Sequence, residues 1–224
     1  MTATDTFRIP VIGSEDVSAI VAQPSEAQCM LVLAHGAGAG MRHRFLETLA
    51  DELAAAGVAT LRYQFPYMEH RRRVPDPPSV LTATVGAAVR EALGIARGIP
   101  VFAGGKSMGG RMTSLAASEG LTPGVRGLAF FGFPLHPPNR PSTQRADHLA
   151  RVHVPMLFLQ GTRDQFAELE LLQPICEGLG PRATLHIIGD ADHSFHVPKR
   201  SGKTDVEILR ELVDTFVQWA AEHG

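Results

Sequence analysis

Short apolar runs alternate with longer segments that repeat apolar residues at helical spacing. Runs at "FRIPVI" (7–12) and "SAIVAQ" (18–23) read as a pair of strands around a turn at Gly13–Asp16. Six more follow: "MLVLAHG" (30–36), "GVATLRYQF" (57–65), "IPVFAGG" (99–105), "VRGLAFFGFP" (125–134), "VPMLFLQG" (154–161) and "ATLHIIG" (183–189). They are rich in β-branched and aromatic residues and apolar throughout, as strands covered on both faces must be. Helical segments are predicted near 42–56, 79–97, 107–119, 144–151, 165–178 and 203–222. The last places Val206, Leu209, Val213, Phe216, Val217 and Ala220 on one face. This alternation, after an antiparallel start, predicts one α/β domain over 1–224, with a mostly parallel sheet and helices on both faces. Such sheets carry their chemistry beyond the carboxyl ends of the strands.

The loop after the strand at 99–105 reads "GGKSMGGR". "GKS" raises a phosphate-binding loop, which requires G-x-x-x-x-G-K-[ST]. The position that needs the first glycine is Pro100, so that reading fails. G-x-S-x-G fits instead, as Gly105, Lys106, Ser107, Met108 and Gly109, between a strand and a helix. A sharp turn there would lift the Ser107 hydroxyl above the sheet at a helix N-terminus.

Two later loops supply partners. "LQGTRDQF" puts Asp164 after one predicted strand, and "GDADHSFH" puts His193 after the next. The order Ser, Asp, His is that of a nucleophile–acid–base triad on a parallel sheet. Asp190 and Asp192 compete for the acid role, and His196 competes for the base role. Asp164 can alternatively cap a helix starting near Gln165. His193 and His196 also have a spacing that metals use, but no third ligand is evident, and no metal is expected. "LAHGAGAG" (33–40) faces the serine, so its small residues Gly36, Ala37 and Gly38 are expected beside the substrate. The N–H groups of Ala37 and Met108 are the expected oxyanion donors. A dinucleotide fingerprint in this loop fails, because Met41 stands where its last glycine belongs. No cofactor is expected. His35 reads as a structural hydrogen-bonder, and Lys106 as exposed beside the elbow.

"HGAGAG", "RYQFPYMEHRRRVPD", "GGKSMGGR" and "ADHSFHVPKRSGKT" together resemble the α/β-hydrolase superfamily. Within it they look like the small, lid-poor, dienelactone-hydrolase-like branch. Animal relatives in that branch include a subunit of a histone-acetylation complex and a testis-expressed protein. The resemblance implies an eight-stranded sheet whose second strand is antiparallel, and the triad Ser107, Asp164, His193. It departs from the dienelactone hydrolases proper, which carry a cysteine where this chain has Ser107. It leaves two classes of function open: a hydrolase of small esters or thioesters, and a hydrolase-fold scaffold that works through partners. A peptidase or acyl-aminoacyl hydrolase is a further enzymatic reading.

The stretch 134–143, "PLHPPNRPST", stands where larger hydrolases insert a lid, and is short. A shallow pocket lined by Phe65, Tyr67, Met68, Phe133 and Leu135 is expected. Arg71, Arg72, Arg73, Lys199 and Arg200 lie in loops on the same side, as a solvated surface or as a grip on an anionic group. The 224 residues carry a formal net charge of -2, which favours no nucleic-acid partner. No apolar run reaches the ~18 residues of a membrane span. Cys29 and Cys176 are far apart, as expected of reduced thiols in a cytoplasmic protein. The oligomeric state is open.

Overall fold

The computed structural model describes residues 2–224. Eight strands form one sheet: β1 (Thr2–Ile9), β2 (Val17–Pro24), β3 (Cys29–Ala34), β4 (Val58–Tyr63), β5 (Val101–Lys106), β6 (Leu128–Phe131), β7 (Met156–Gly161) and β8 (Ala183–Ile188). Their spatial order is β1-β2-β4-β3-β5-β6-β7-β8. β2 runs antiparallel to both β1 and β4, and every pair from β4 to β8 is parallel. β3, β4 and β7 are buried along their whole length, which explains their largely apolar sequence, with Thr60, Arg62 and Gln160 as the buried polar residues among them.

Six helices accompany the strands: α1 (Arg44–Ala55), α2 (Pro66–Glu69), α3 (Pro78–Ile95), α4 (Met108–Ser118), α5 (Leu169–Leu179) and α6 (Asp205–His223). α1 and α6 cover one face, where Leu46, Leu49 and Leu53 join Ile208, Leu212, Phe216 and Trp219 around Phe102 and Phe131. The other face meets α3, α4 and α5 through Leu81, Val85, Val89, Met112, Ala116 and Leu172. Among the described residues there is no lid subdomain between β6 and β7, and no helix is long and apolar enough to cross a membrane.

Four local expectations shift. β1 ends at Ile9 rather than crossing Pro10, which has no N–H to give to the ladder. Residues 144–151 form a 3-10 turn, not an α-helix. α5 begins at Leu169, because 164–168 are drawn into a turn around Asp164. The buried stripe of α6 is Ile208, Leu212, Phe216 and Trp219 with Val213 and Ala220, while Val206 is 55% exposed. The Thr204–Glu207 capping box sets where α6 starts and leaves Val206 in the first turn, facing outward.

Candidate active site

β5 and α4 meet at Ser107 with no connecting loop, so the chain reverses within one residue. Ser107 takes φ +54°, ψ −120°, a conformation that costs a non-glycine residue of order 1–3 kcal/mol. Its surroundings hold it there. The Ser107 N–H donates to the Phe131 carbonyl of β6 at 3.2 Å. Gly109 lets the first turn of α4 settle on the end of β3: a Cβ there would lie 2.5 Å from the Ala34 oxygen and 2.6 Å from the His35 oxygen.

The loop after β8 brings His193 to this serine. Asp192 Oδ1 accepts from the N–H groups of Ser194 (2.8 Å) and His196 (3.1 Å), and the Asp192 N–H donates to the His196 carbonyl. The ring in between turns inward, with Nε2 2.8 Å from Ser107 Oγ and Nδ1 2.7 Å from Asp164 Oδ2. A carboxylate accepts only, so Nδ1 carries the ring proton and Nε2 is free to accept from the Ser107 hydroxyl. The Phe166 ring lies 4.3 Å from the imidazole, centroid to centroid. Burial pushes His193 below its ordinary pKa. The hydrogen bond and charge of Asp164 oppose that shift, and the Lys106 cation adds to it.

Asp164 follows β7 and is 4% exposed. It caps no helix, since α5 begins only at Leu169 with Glu168 at its N-cap. Oδ1 accepts from the Phe166 N–H at 2.8 Å, shaping the turn before α5, while Oδ2 accepts from His193. A third donor converges on it: Gln160 Nε2 lies 2.6 Å from Oδ2, and Gln160 Oε1 accepts from the Phe133 N–H at 2.9 Å. Gln160 thus ties the carboxylate to the backbone after β6. It was not singled out from sequence, although its signal is there: it is the polar residue in the otherwise apolar run "VPMLFLQG". Asp190 sits instead in a turn braced by Thr162, and His196 turns to Asp205 at 2.9 Å.

The 36–40 loop faces this elbow, with Gly36 packed against Lys106 and Ser107. His35 shapes it: Nδ1 donates to the Gly36 carbonyl (2.8 Å) and Nε2 accepts from the Phe65 N–H (3.0 Å). The bond accepted at Nε2 requires neutral imidazole, and burial pushes the His35 pKa down to about 4. The Tyr67 hydroxyl accepts from the Gly38 N–H at 2.9 Å, and Gln64 Oε1 from the Met41 N–H at 2.8 Å. Among the described residues no protein acceptor takes the N–H of Ala37 or of Met108, so both remain available to a bound oxygen.

The expected pocket wall is relocated. Phe65, Tyr67, Phe133 and Leu135 are buried in the core, and Met68 packs half-buried against it. Each belongs to a run apolar enough to serve either place, and aromatic clustering with His35, Phe130 and Phe158 draws the rings inward. The cavity that opens beside Ser107 holds about 360 Å³. Its walls are Ala37, Met108, Leu81, Met112, Pro134 and Phe166, with Asp76, Arg111 and Arg145 as the charged groups. Arg71, Arg72 and Arg73 line a separate groove with Gly38 and Met68, and Arg72 pairs with Asp76. Lys199 and Arg200 sit in an exposed 3-10 turn.

Lys106 is also relocated, from solvent to the interior. Its ammonium lies 5.1 Å from the Phe195 ring centre and 5.9 Å from that of Phe45, and donates to the carbonyl of His193. Burial pushes its pKa down to about 8, against the pull of Asp164 and Asp192.

A family profile described as "Alpha/beta hydrolase domain" matches residues 27–221. The chain belongs to this family. Solved structures similar to it include a dienelactone hydrolase from Anabaena variabilis (20% identity, 97% of this chain and 98% of that one, TM-score 0.75). An α/β serine hydrolase homologue from Coxiella burnetii matches at 19% identity, with 96% and 98% covered and a TM-score of 0.75. A protein from Xanthomonas campestris described as an α/β serine hydrolase without lid matches at 20%, with 97% and 94% covered and a TM-score of 0.73. At these identities the likeness speaks for the fold, including its lid-less form.

Proposed function

We propose that this alpha/beta hydrolase is a serine esterase, acting on a small or medium carboxylic ester or thioester through Ser107, His193 and Asp164. The observation that carries the reading is the unbroken hydrogen-bonded chain from Ser107 Oγ through both ring nitrogens of His193 to buried Asp164. Ser107 Oγ attacks the acyl carbon while His193 Nε2 takes its proton. The carbonyl oxygen becomes an oxyanion, and the N–H groups of Ala37 and Met108 receive it. One such donor is worth about 2.7–4 kcal/mol in the transition state. The carbonyl re-forms, the ester C–O or thioester C–S bond breaks, and His193 returns the proton to the departing alcohol or thiol. Water, deprotonated by the same imidazole, then attacks the Ser107 acyl-enzyme, releasing the acid and restoring the hydroxyl.

This chemistry calls for no metal or cofactor. The cavity of about 360 Å³ sets the scale of the substrate, near the lower end of small-molecule sites. Two buried, unpaired thiols at Cys29 and Cys176 fit a reducing, cytoplasmic location. Kinship with the branch that holds a histone-acetylation-complex subunit rests on the four sequence segments alone and bears on no substrate.

The test is turnover of p-nitrophenyl butyrate and of a butyryl thioester by the purified protein. Turnover lost in Ser107→Ala supports the reading. Equal rates in both proteins, or none in either, would overturn it and favour the scaffold class.

A further inference from the structure

Two cations, Arg111 and Arg145, line the cavity beside Ser107. Arg111 lies one helical turn along α4, its N–H donating to the Ser107 carbonyl at 3.1 Å, so its side chain starts about 5.4 Å up the helix from the nucleophile. Arg145 approaches from the 3-10 turn at 144–151. Among the described residues neither guanidinium forms an ion pair, and Arg111 Nε is buried with no hydrogen-bond partner. Burial, and after it the nearby Arg145 cation, press the Arg111 pKa downward. The cavity's carboxylate, Asp76, pairs with Arg72 through Oδ1 and with neither Arg111 nor Arg145, and its Oδ2 is buried without a partner. A buried polar atom without a hydrogen-bond partner is costly, so the half-buried Arg111, with its Nε unpaired, is expected to gain a partner at some stage of its work.

Resting on the esterase reading, we infer that Arg111 and Arg145 bind an oxyanion, carboxylate or phosphoryl, at the non-reacting end of the substrate. The planar guanidinium fork suits either one, and two cations suit a group that can accept from both. The Arg71–Arg73 loop, the more conspicuous basic run in the sequence, opens onto a different groove. The acyl chain between ester and anion is accordingly short, bridging about one helical turn.

The experiment uses p-nitrophenyl esters of one acyl length ending in methyl, carboxylate or phosphonate. A carboxylate on the leaving side is tested with 4-carboxyphenyl butyrate against its neutral carbamoyl counterpart. Wild type should prefer at least one anionic ester over its neutral mate by tenfold or more in kcat/KM. Arg111→Gln and Arg145→Gln should each cut that anionic-to-neutral ratio at least tenfold, mainly through KM, and Arg111→Lys should restore part of it. The two acyl termini separate carboxylate from phosphoryl. Neutral turnover without any anionic preference, or a ratio unmoved in both arginine variants, would overturn this inference and leave the esterase reading standing. No turnover of any ester would remove both. Arg111 and Arg145 are both half-buried and lie on different elements, so the Arg145→Gln ratio remains informative should Arg111→Gln fail to fold.

A separate observation concerns Lys106, and it too rests on the esterase reading. The ammonium sits beside the stacked rings of Phe45 (α1) and Phe195 and donates to the His193 carbonyl. It therefore bridges the serine's own neighbour to the loop that carries the base. We propose that Lys106 is a positioning residue for His193, not a group that touches substrate. The charges facing His193 are Asp164 after β7, Asp192 in its own loop and Lys106 at the end of β5. Removing the cation removes one influence that favours neutral imidazole. In Lys106→Met, kcat should fall about tenfold or more with KM near wild type, and the acid limb of the kcat/KM profile should move to higher pH. Lys106→Arg should return the acid limb toward wild type. Unchanged kcat and an unmoved limb in a folded Lys106→Met protein would overturn the assignment.

Discussion

Asp164→Asn tests the hydrogen-bond reasoning at its most constrained point. Three donors converge on this carboxylate: His193 Nδ1 at 2.7 Å, Gln160 Nε2 at 2.6 Å and the Phe166 N–H at 2.8 Å. An amide offers one oxygen and one NH2, so no orientation satisfies all three. With the oxygen toward His193 and Gln160, the NH2 meets the Phe166 N–H. The ring keeps its tautomer but loses the negative charge that stabilises its protonated form. Charge-assisted bonds are worth about 1.5–3 kcal/mol against about 0.5–1.5 for neutral ones, and two are downgraded. With the NH2 toward His193, the ring proton must move to Nε2, which then faces Ser107 as a donor, and the base is gone. That outcome costs about 10⁴-fold in a serine protease. Gln160 resists it, because its Oε1 is held by the Phe133 N–H and its own NH2 cannot turn away. The expected loss in kcat/KM is therefore between about 10² and 10⁴-fold, or roughly 2.7–5.4 kcal/mol. Either orientation also leaves a buried N–H unpaired, at about 1–3 kcal/mol of stability. Ester turnover across pH, with a chemical denaturation curve as control, gives both numbers. A loss under threefold would refute the claim that Asp164 holds and charges His193.

Further outcomes follow from the same geometry. Gln160→Leu leaves the Phe133 N–H unpaired and releases Asp164 from one of its three donors; it should lower kcat about tenfold with KM little changed, read from initial rates. Gly132→Ala would place a Cβ 2.9 Å from Lys106 Nζ, 3.4 Å from His193 Nδ1 and 3.5 Å from Asp164 Oδ2, at φ +74°. It should cost about 1–2 kcal/mol for the left-handed backbone and reduce turnover by wedging the acid–base pair, as a melt and a rate measured together will report. In the wild type, burial lowers the His193 pKa below 6.5, and the base works neutral, so kcat/KM should stay level through neutral pH and fall only below about 6.5. An acid limb above pH 7 would contradict this.

The sheet was readable because strands buried on both faces advertise themselves as predominantly apolar runs, and α4 because G-x-S-x-G opens it. Register within helices was less readable. The sequence of α6 offers apolar residues on adjacent faces, and only packing against α1 and Phe102 selects Ile208, Leu212, Phe216 and Trp219 over Val206. The site divided along similar lines. Ser107, Asp164 and His193 stand at strand ends, where topology alone brings them together. Phe65, Tyr67, Phe133 and Leu135 were expected on the pocket wall because apolar composition cannot tell a wall from a core. Tyr67 instead holds Gly38, and the cavity wall falls to residues of α3, α4 and the 3-10 turn at 144–151. Lys106 was expected in solvent because a lysine beside an exposed serine usually snorkels; two aromatic rings and a free carbonyl, each from a distant segment, hold it inside.

The central claim is that Ser107 is an activated nucleophile. Its most direct test is intact mass after treatment with a fluorophosphonate, with Ser107→Ala alongside. One adduct is expected on the wild type at neutral pH and none on the variant. An unmodified wild type, or an adduct that persists in Ser107→Ala, would contradict it.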